Sequence, residues 1–424
     1  MLVAHYLLGA VALNSHTLHL SFWSKKVIIL QFSTYGILGL TYLGLALGYI
    51  PGLRMNRATI ALVGSAFLIA LGVISLPEAW QAIDANTIVF LLSMMVVNTN
   101  LAYAGFFQKA LSLLLSVTRS PLGLLIALTF GTGALSAFFL NDTIALIFTP
   151  LTLSLTRSLK LNPIPYLLAV AGATNVGSVA TLSGNPQNIL IGSFSHIPYL
   201  DFLHVLAPVA ITGLVLQVGL LWLLYPDVRS TQACEQVITE NYRIFKPLFN
   251  KSLVITTSLL IAFAIGLPLA ESALVAASLL LITRRIKPQR ILKQVDGNLL
   301  VMFSGLFILT RVTQKLNLLQ LFTQAINSPL SFFSVTVILS NLISNVPAVL
   351  LLQPLVPHGD TRFWLLLAAG STLAGNLTLF GSVANLIVVE AAADLGYSLT
   401  FWEHLRFGVP LTVSTLILAF LWIH

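Results

Sequence analysis

Three polar residues, Asn141, Asp142 and Thr143, stand in the middle of an apolar run from Pro121 to Leu159. An ionisable side chain among hydrocarbon is costly unless it lines a cavity or meets a partner, so it marks a functional site by default. An amide there can offer its carbonyl to a cation or its NH2 to an anion. A carboxylate at that depth can hold Na+ or carry a proton. A second polar interruption, Thr181 to Asn188, brings Ser183, Gly184, Asn185, Gln187 and Asn188 together around Pro186. It is too polar for lipid and holds two helix breakers. Irregular backbone at membrane depth is tolerated only where it is buried in protein or lines a cavity. Against these readings stands the local one, in which Asn makes a turn and Asp caps a helix.

The second half of the chain repeats both features. Leu135 to Asn141, with Pro150 nine residues on (150 − 141 = 9), matches Leu339 to Asn345, with Pro354 nine residues on (354 − 345 = 9). Ala171 to Thr174 matches Ala369 to Thr372, and the break at Ser183–Asn188 falls on Phe380–Asn385. Upstream, Ile83-Asp84-Ala85-Asn86 matches Val295-Asp296-Gly297-Asn298. The candidate binding residues are therefore Asn141, Asp142, Thr143, Ser183, Gly184, Asn185, Gln187 and Asn188 in one half. Ser344, Asn345, Pro347, Gly381, Ser382 and Asn385 are their counterparts in the other. A Na+ site is expected at Asn141, Asp142 and Asn345, and no other metal or cofactor. Thr181 and Thr378 flank the breaks. Glu390 reads equally as a coupling acid or as an interfacial residue. Asp84 and Asp296 read as helix caps, Glu271 as an acid favouring a helix N-terminus, and His204 and His404 as interfacial anchors.

The elements that must hold these residues are membrane helices. Of 424 residues 57% are hydrophobic and 8% charged, the mean hydropathy is +0.94, and apolar runs of about 18 or more residues recur. A transmembrane barrel would show short alternating segments instead. A single cysteine, Cys234, excludes a disulfide framework and a cysteine metal site. The net charge of +8 sits in short loops between spans, as the positive-inside rule requires, and carries no nucleic-acid signal. No protease, nucleophile or P-loop motif points to an enzyme. Residues 1–23 read as an extra span or surface helix rather than a cleaved signal, since no basic segment precedes them.

Charge also orients the chain. Placing the 226–251 linker and the basic loop 284–293 in the cytoplasm puts Arg54 and Arg57 inside and Glu78 and Asp84 outside. Equivalent loops of the two halves then lie on opposite faces, which is an inverted-topology repeat. Residues 329–360, about 32 residues, are too short to cross twice, which needs about 40. Both polar tips are therefore read as re-entrant hairpins. The fold expected is an all-α polytopic membrane protein with two inverted repeats, each with a re-entrant hairpin and a broken helix, in about 10–12 membrane segments.

These motifs resemble those of the ion transporter superfamily: Asn-Asp-Thr in an apolar hairpin, Gly-Asn-Pro-Gln-Asn in a broken helix, Ser-Asn-Val-Pro in the second hairpin, and Gly381 to Glu390. Within it they are most similar to the arsenite exporter, sodium/proton antiporter and citrate–metal branch, over roughly residues 28–424. The resemblance implies a scaffold, a mobile transport domain, elevator-type alternating access, and a homodimer joined through the scaffold. It divides the chain into an N-terminal segment 1–27, scaffold part 28–118, and a transport part 119–225 with hairpin 121–159 and broken helix 165–195. A cytoplasmic linker 226–250 follows, then scaffold 251–328 and transport part 329–424 with hairpin 329–360 and broken helix 363–393. The function expected is H+- or Na+-coupled transport of a small anion, oxyanion or metalloid hydroxide, arsenite- or silicate-type, in a bacterial inner membrane. A Na+/H+ antiporter, a dicarboxylate carrier and a channel are the alternatives. The acid gained at the first tip and the Thr lost from the second weigh against a dicarboxylate.

Overall fold

The computed structural model describes residues 30–117, 120–232, 245–283, 286–323, 326–357 and 359–424. The expected N-terminal segment 1–27 and much of the 226–250 linker lie outside the described residues. The first half runs α1 (Leu30–Leu47), α2 (Arg57–Ala70), α3 (Leu76–Ala82), α4 (Ala85–Ala104), α5 (Phe106–Val117), α6 (Pro121–Phe138), α7 (Asn141–Ser158), α8 (Ile164–Ser178), α9 (Pro186–Ser195) and α10 (Tyr199–Leu224). The second runs α11 (Lys246–Ala264), α12 (Leu269–Leu281), α13 (Pro288–Leu292), α14 (Gly297–Lys315), α15 (Gln320–Thr323), α16 (Pro329–Ile343), α17 (Asn345–Leu352), α18 (Thr361–Ala374), α19 (Val383–Asp394) and α20 (Phe401–Ile423). No strand occurs among the described residues. Six helices (α1, α4, α6, α10, α11 and α20) are long and apolar enough to cross a membrane. The chain is an all-α polytopic membrane protein.

Local chemistry explains the boundaries. Asp84 and Asp296 cap α4 and α14, each accepting from the N–H three residues on, Thr87 at 2.7 Å and Leu299 at 3.2 Å. Ser120 and Ser328 cap α6 and α16, each followed by a proline whose fixed φ suits the first helical position. α2 stops at Ala70, because Gly72 takes φ 72° just beyond it and ends the helix. α11 starts at Lys246, where Pro247 opens the first turn.

Packing pairs the halves reciprocally. α2 lies against α14, and α12 against α4. Ser65 Oγ donates to Gly305 O at 2.9 Å, and a Cβ on Gly305 would stand 2.8 Å from the Ala61 carbonyl carbon, so only glycine permits this approach. In the other body α6 packs on α8, α16 on α18, and α10 and α20 on each other. The α6–α7 hairpin has legs of 18 residues each. The α16–α17 hairpin has legs of 15 and 8, or about 22 and 12 Å at 1.5 Å per residue. Neither of those legs spans a hydrocarbon core of about 30 Å.

Candidate functional site

The first hairpin tip is strapped to the first helix break. Its turn leaves Asn141 N–H donating to Gly184 O at 2.9 Å. Ser136 Oγ donates to Thr174 O at 2.6 Å, and Thr181 Oγ1 donates to Ala137 O. Ser183 Oγ pairs with the Tyr199 hydroxyl at 2.9 Å. A Cβ on Gly184 would run into Ser178 O and stand 2.9 Å from Ser136 O, so close backbone approach demands glycine there. The break between α8 and α9 leaves helix carbonyls without N–H partners, and Asn188 supplies them. Its Nδ2 donates to Ser178 O at 3.1 Å and to Thr181 O at 2.9 Å. Asn185 caps α9 by accepting from Asn188 N at 2.8 Å.

The second break is built the same way. Asn385 Nδ2 donates to Gly375 O at 2.9 Å and to Thr378 O at 3.1 Å. Those carbonyls lie ten and seven residues back, the same reach as at Asn188. Ser382 caps α19 through Ala384 N at 3.2 Å. Beside this break stands the second hairpin tip, where Ser344 takes φ 81°, ψ 159°. That conformation is essentially reserved for glycine and costs on the order of 1–3 kcal/mol. The Asn345 amide comes up to Gly375, whose Cβ would be 3.3 Å from Nδ2. Pro347 is buried in the first turn of α17.

The two breaks meet in an amide network. Asn175 Nδ2 donates to Asn376 Oδ1 at 2.8 Å and Asn385 Oδ1 at 3.1 Å. Its Oδ1 accepts from Ser382 Oγ at 2.9 Å and Asn141 Nδ2 at 3.3 Å. Thr372 Oγ1 accepts from Asn185 Nδ2 at 3.2 Å and Gln187 Nε2 at 3.1 Å. Thus Asn141, Ser382 and Asn385 gather at Asn175, while Asn185 and Gln187 gather at Thr372. Asn175, Thr372 and Asn376 escaped the sequence reading. The signal was present: Asn175 is an amide in otherwise apolar helix just before the first break, and Asn376 is an amide in the turn that follows α18 at the second, but the Gly and Pro of the breaks outshone them.

Several polar atoms here have no partner. Asn141 Oδ1 and Asn345 Oδ1 are unpaired, in side chains 4% and 8% exposed. Asn341 Oδ1, 3.2 Å from where a Gly381 Cβ would stand, is unpaired too. Neither α7 nor α17 has a side-chain cap; in α7 Asn141 N–H is spent on Gly184 O and Thr143 N–H on Leu140 O, which leaves Asp142 N–H open to a ligand, and in α17 the N–H groups of Asn345 and Val346 are open. Asp142 is half-buried, and neighbouring Thr143 Oγ1 is 3.5 Å from Asn98 Nδ2 on α4. Among the described residues no three His, Cys, Asp or Glu side chains gather as metal ligands. Any ion held here would be bound by amide, hydroxyl and single carboxylate oxygens, which suits a hard cation. His204 is exposed as expected. His404 is not interfacial: it is fully buried, with Nε2 3.0 Å from Asn376 O, because the carbonyl freed beside the second break takes a side-chain partner.

Residues 45–360 match the sequence model of the family described as citrate transporter. The silicon efflux transporter LSI3 of Oryza sativa subsp. japonica is 31% identical over 86% of this chain and 91% of its own length. A 46 kDa membrane protein of Mycobacterium leprae is 29% identical, over 87% of this chain and 94% of its own. The putative transporter arsB of Dictyostelium discoideum is 25% identical over 87% of each.

Proposed function

Because the chain belongs to the citrate transporter family, and so is a membrane transporter rather than an enzyme, we propose that it is a secondary active carrier. It moves a small oxyanion or metalloid hydroxide, of silicate or arsenite type, coupled to H+ or Na+. One observation carries this reading: a buried amide oxygen without a partner stands at each hairpin tip, Asn141 Oδ1 and Asn345 Oδ1. The tips also offer open helix N–H groups, and no Lys or Arg lies in either tip or break. A site rich in amides and poor in charge can both donate to and accept from a polyhydroxy species. It offers little to repay the desolvation of a dianion. That silicon efflux and arsB-type transporters are among the relatives supports the same class.

Elevator-type alternating access fits the packing. The reciprocal α2–α14 and α4–α12 pairs form the scaffold; the hairpins, broken helices, α10 and α20 form the transport part. Ser193 Oγ on α9 donates to Asp84 at 2.7 Å, and α17 packs on α14. With the basic loops inside, both of those contacts are on the outer side. On the inner side neither α7 nor α19 makes comparable packing with α4 or α14. This arrangement faces inward. Exposed Leu40, Leu43, Leu62 and Phe67 give α1 and α2 an apolar face suited to lipid or a second scaffold in a homodimer, in a bacterial inner membrane.

A flux screen in proteoliposomes tests the substrate class. Silicic acid or arsenite should exchange across the bilayer and accelerate when unlabelled substrate is placed on the opposite side. Flux of citrate alone, or electrogenic flux without such acceleration, contradicts the proposal. Na+/H+ exchange with no other substrate would favour the antiporter reading that Asp142 keeps open.

A further inference from the structure

The two breaks are offset by 197 residues, since Asn385 does for α18–α19 what Asn188 does for α8–α9 (385 − 188 = 197). The same offset sets Glu390 at the position of Ser193 (390 − 193 = 197). On the scaffold, the caps Asp84 and Asp296 correspond, each accepting from the N–H three residues on. Here Ser193 Oγ donates to Asp84 Oδ1 at 2.7 Å. The matching pair in the other half is therefore Glu390 and Asp296, two carboxylates. In this arrangement Glu390 is exposed.

Exchanging the roles of the two halves converts an inward-facing arrangement into its outward-facing opposite. Asp84 then leaves Ser193, and Asp296 meets Glu390. We propose that Asp296 and Glu390 form a carboxylate gate that closes in the outward movement, so that this movement requires a proton or monovalent cation taken up between the two acids. The inference rests on the elevator reading above and names what couples it.

A second observation points to the same ligand. Asn98, 1% exposed, reaches Thr143 beside Asp142 and leaves its Oδ1 unpaired, as Asn141 does. Two buried acceptor oxygens beside a carboxylate suit a cation. The charged and titratable groups on the helices packed against α14 and α19 do not substitute for one. They are Arg57 on α2, Arg157 on α7, Tyr103 on α4 and Tyr166 on α8. Glu78 on α3 is at the outer end. Arg290 and Lys293 precede Asp296, Arg311 and Lys315 lie at the far end of α14, and Asp394 ends α19 beyond Glu390. Serine at the first-half position lets Asp84 close on a neutral hydroxyl; glutamate at the second makes closure depend on a charge.

The experiment uses the full chain in lipid nanodiscs with spin labels at Gln314→Cys and Gln353→Cys, in a Cys234→Ser background. Both positions line the 350 Å³ outer crevice between α14 and the end of α17. The long-distance, outward population should grow as pH falls from 8 to 6 or as Na+ is added at pH 8, by up to about tenfold per pH unit for one proton taken up. Which arm responds identifies the cation. Glu390→Ser, an exposed change, should flatten that dependence. So should Asp296→Asn, which keeps the cap because Asn caps as well as Asp. Either variant retaining the parental response to both pH and Na+ overturns the gate while leaving the carrier intact. A distance unaltered by pH, Na+ or substrate overturns the elevator reading and the gate with it.

Discussion

Asn188→Ala and Asn385→Ala should cost the protein similar and large amounts of stability. Each asparagine is fully buried and satisfies two helix carbonyls left open by a break, at distances between 2.9 and 3.1 Å. Alanine removes both donors, but one carbonyl at each break keeps another: Ser178 O accepts from Asn185 Nδ2 at 3.3 Å and Thr378 O from Gly381 N–H at 3.1 Å. One buried acceptor is left without a partner at each site, a loss of about 1–3 kcal/mol. Water cannot make up the difference in a hydrocarbon setting, so the lower end applies only where the inner gap hydrates the break. Denaturant titration of the purified protein in mixed micelles reads the difference directly. Both variants should lose stability in that range, within about 1 kcal/mol of each other, since variation of that size is ordinary between matched sites. If both stay within about 0.5 kcal/mol of the parent, as surface substitutions do, the breaks are not held by these amides. The equivalence of the halves then loses its strongest geometric support.

Further outcomes follow from single residues. Gly184→Ala should prevent folding or abolish transport, because its Cβ meets the Ser178 and Ser136 carbonyls; normal expression and flux would contradict that packing. Ser344→Gly should raise thermal stability, relieving on the order of 1–3 kcal/mol of backbone strain, while slowing flux by loosening the tip; an unchanged melting curve would contradict the strain. At the outer surface, the Ser75 backbone N–H and hydroxyl and nearby Lys315 hold the Glu78 carboxyl below its ordinary range. A lowered carboxylate stabilises at neutral pH, and that contribution is lost as pH falls through the lowered value. Glu78→Gln should therefore soften acid sensitivity without altering flux, and a transport defect would contradict its role as a surface cap.

Much of the fold was legible because membrane helices announce themselves by composition and because the chain says most things twice. The caps Asp84 and Asp296, both hairpin turns and both breaks follow from local chemistry: a short acid before an apolar run, glycine and proline inside one. What stayed hidden was non-local. Nothing near Asn175 in sequence indicates that it joins Asn376 and Asn385, some 200 residues away. Nor does Asn188 look different from a substrate ligand until its donors are seen to be spent on the break. His404 and His204 share a sequence setting, yet one is buried on Asn376 and the other exposed, because only tertiary packing decides which face of a final span meets the second break.

The most direct test of the account is solute accumulation in proteoliposomes under imposed pH and Na+ gradients, comparing the parent with Asp142→Asn. Half-buried Asp142 is the carboxylate of the hairpin tips, and its neighbours Asn98 and Asn141 each carry an unpaired oxygen. The account predicts that the parent concentrates silicic acid or arsenite against its gradient and that collapsing the driving gradient abolishes this. Asp142→Asn should still exchange substrate at equal concentrations but no longer concentrate it. Gradient-driven accumulation by the variant at the parental level would contradict the account.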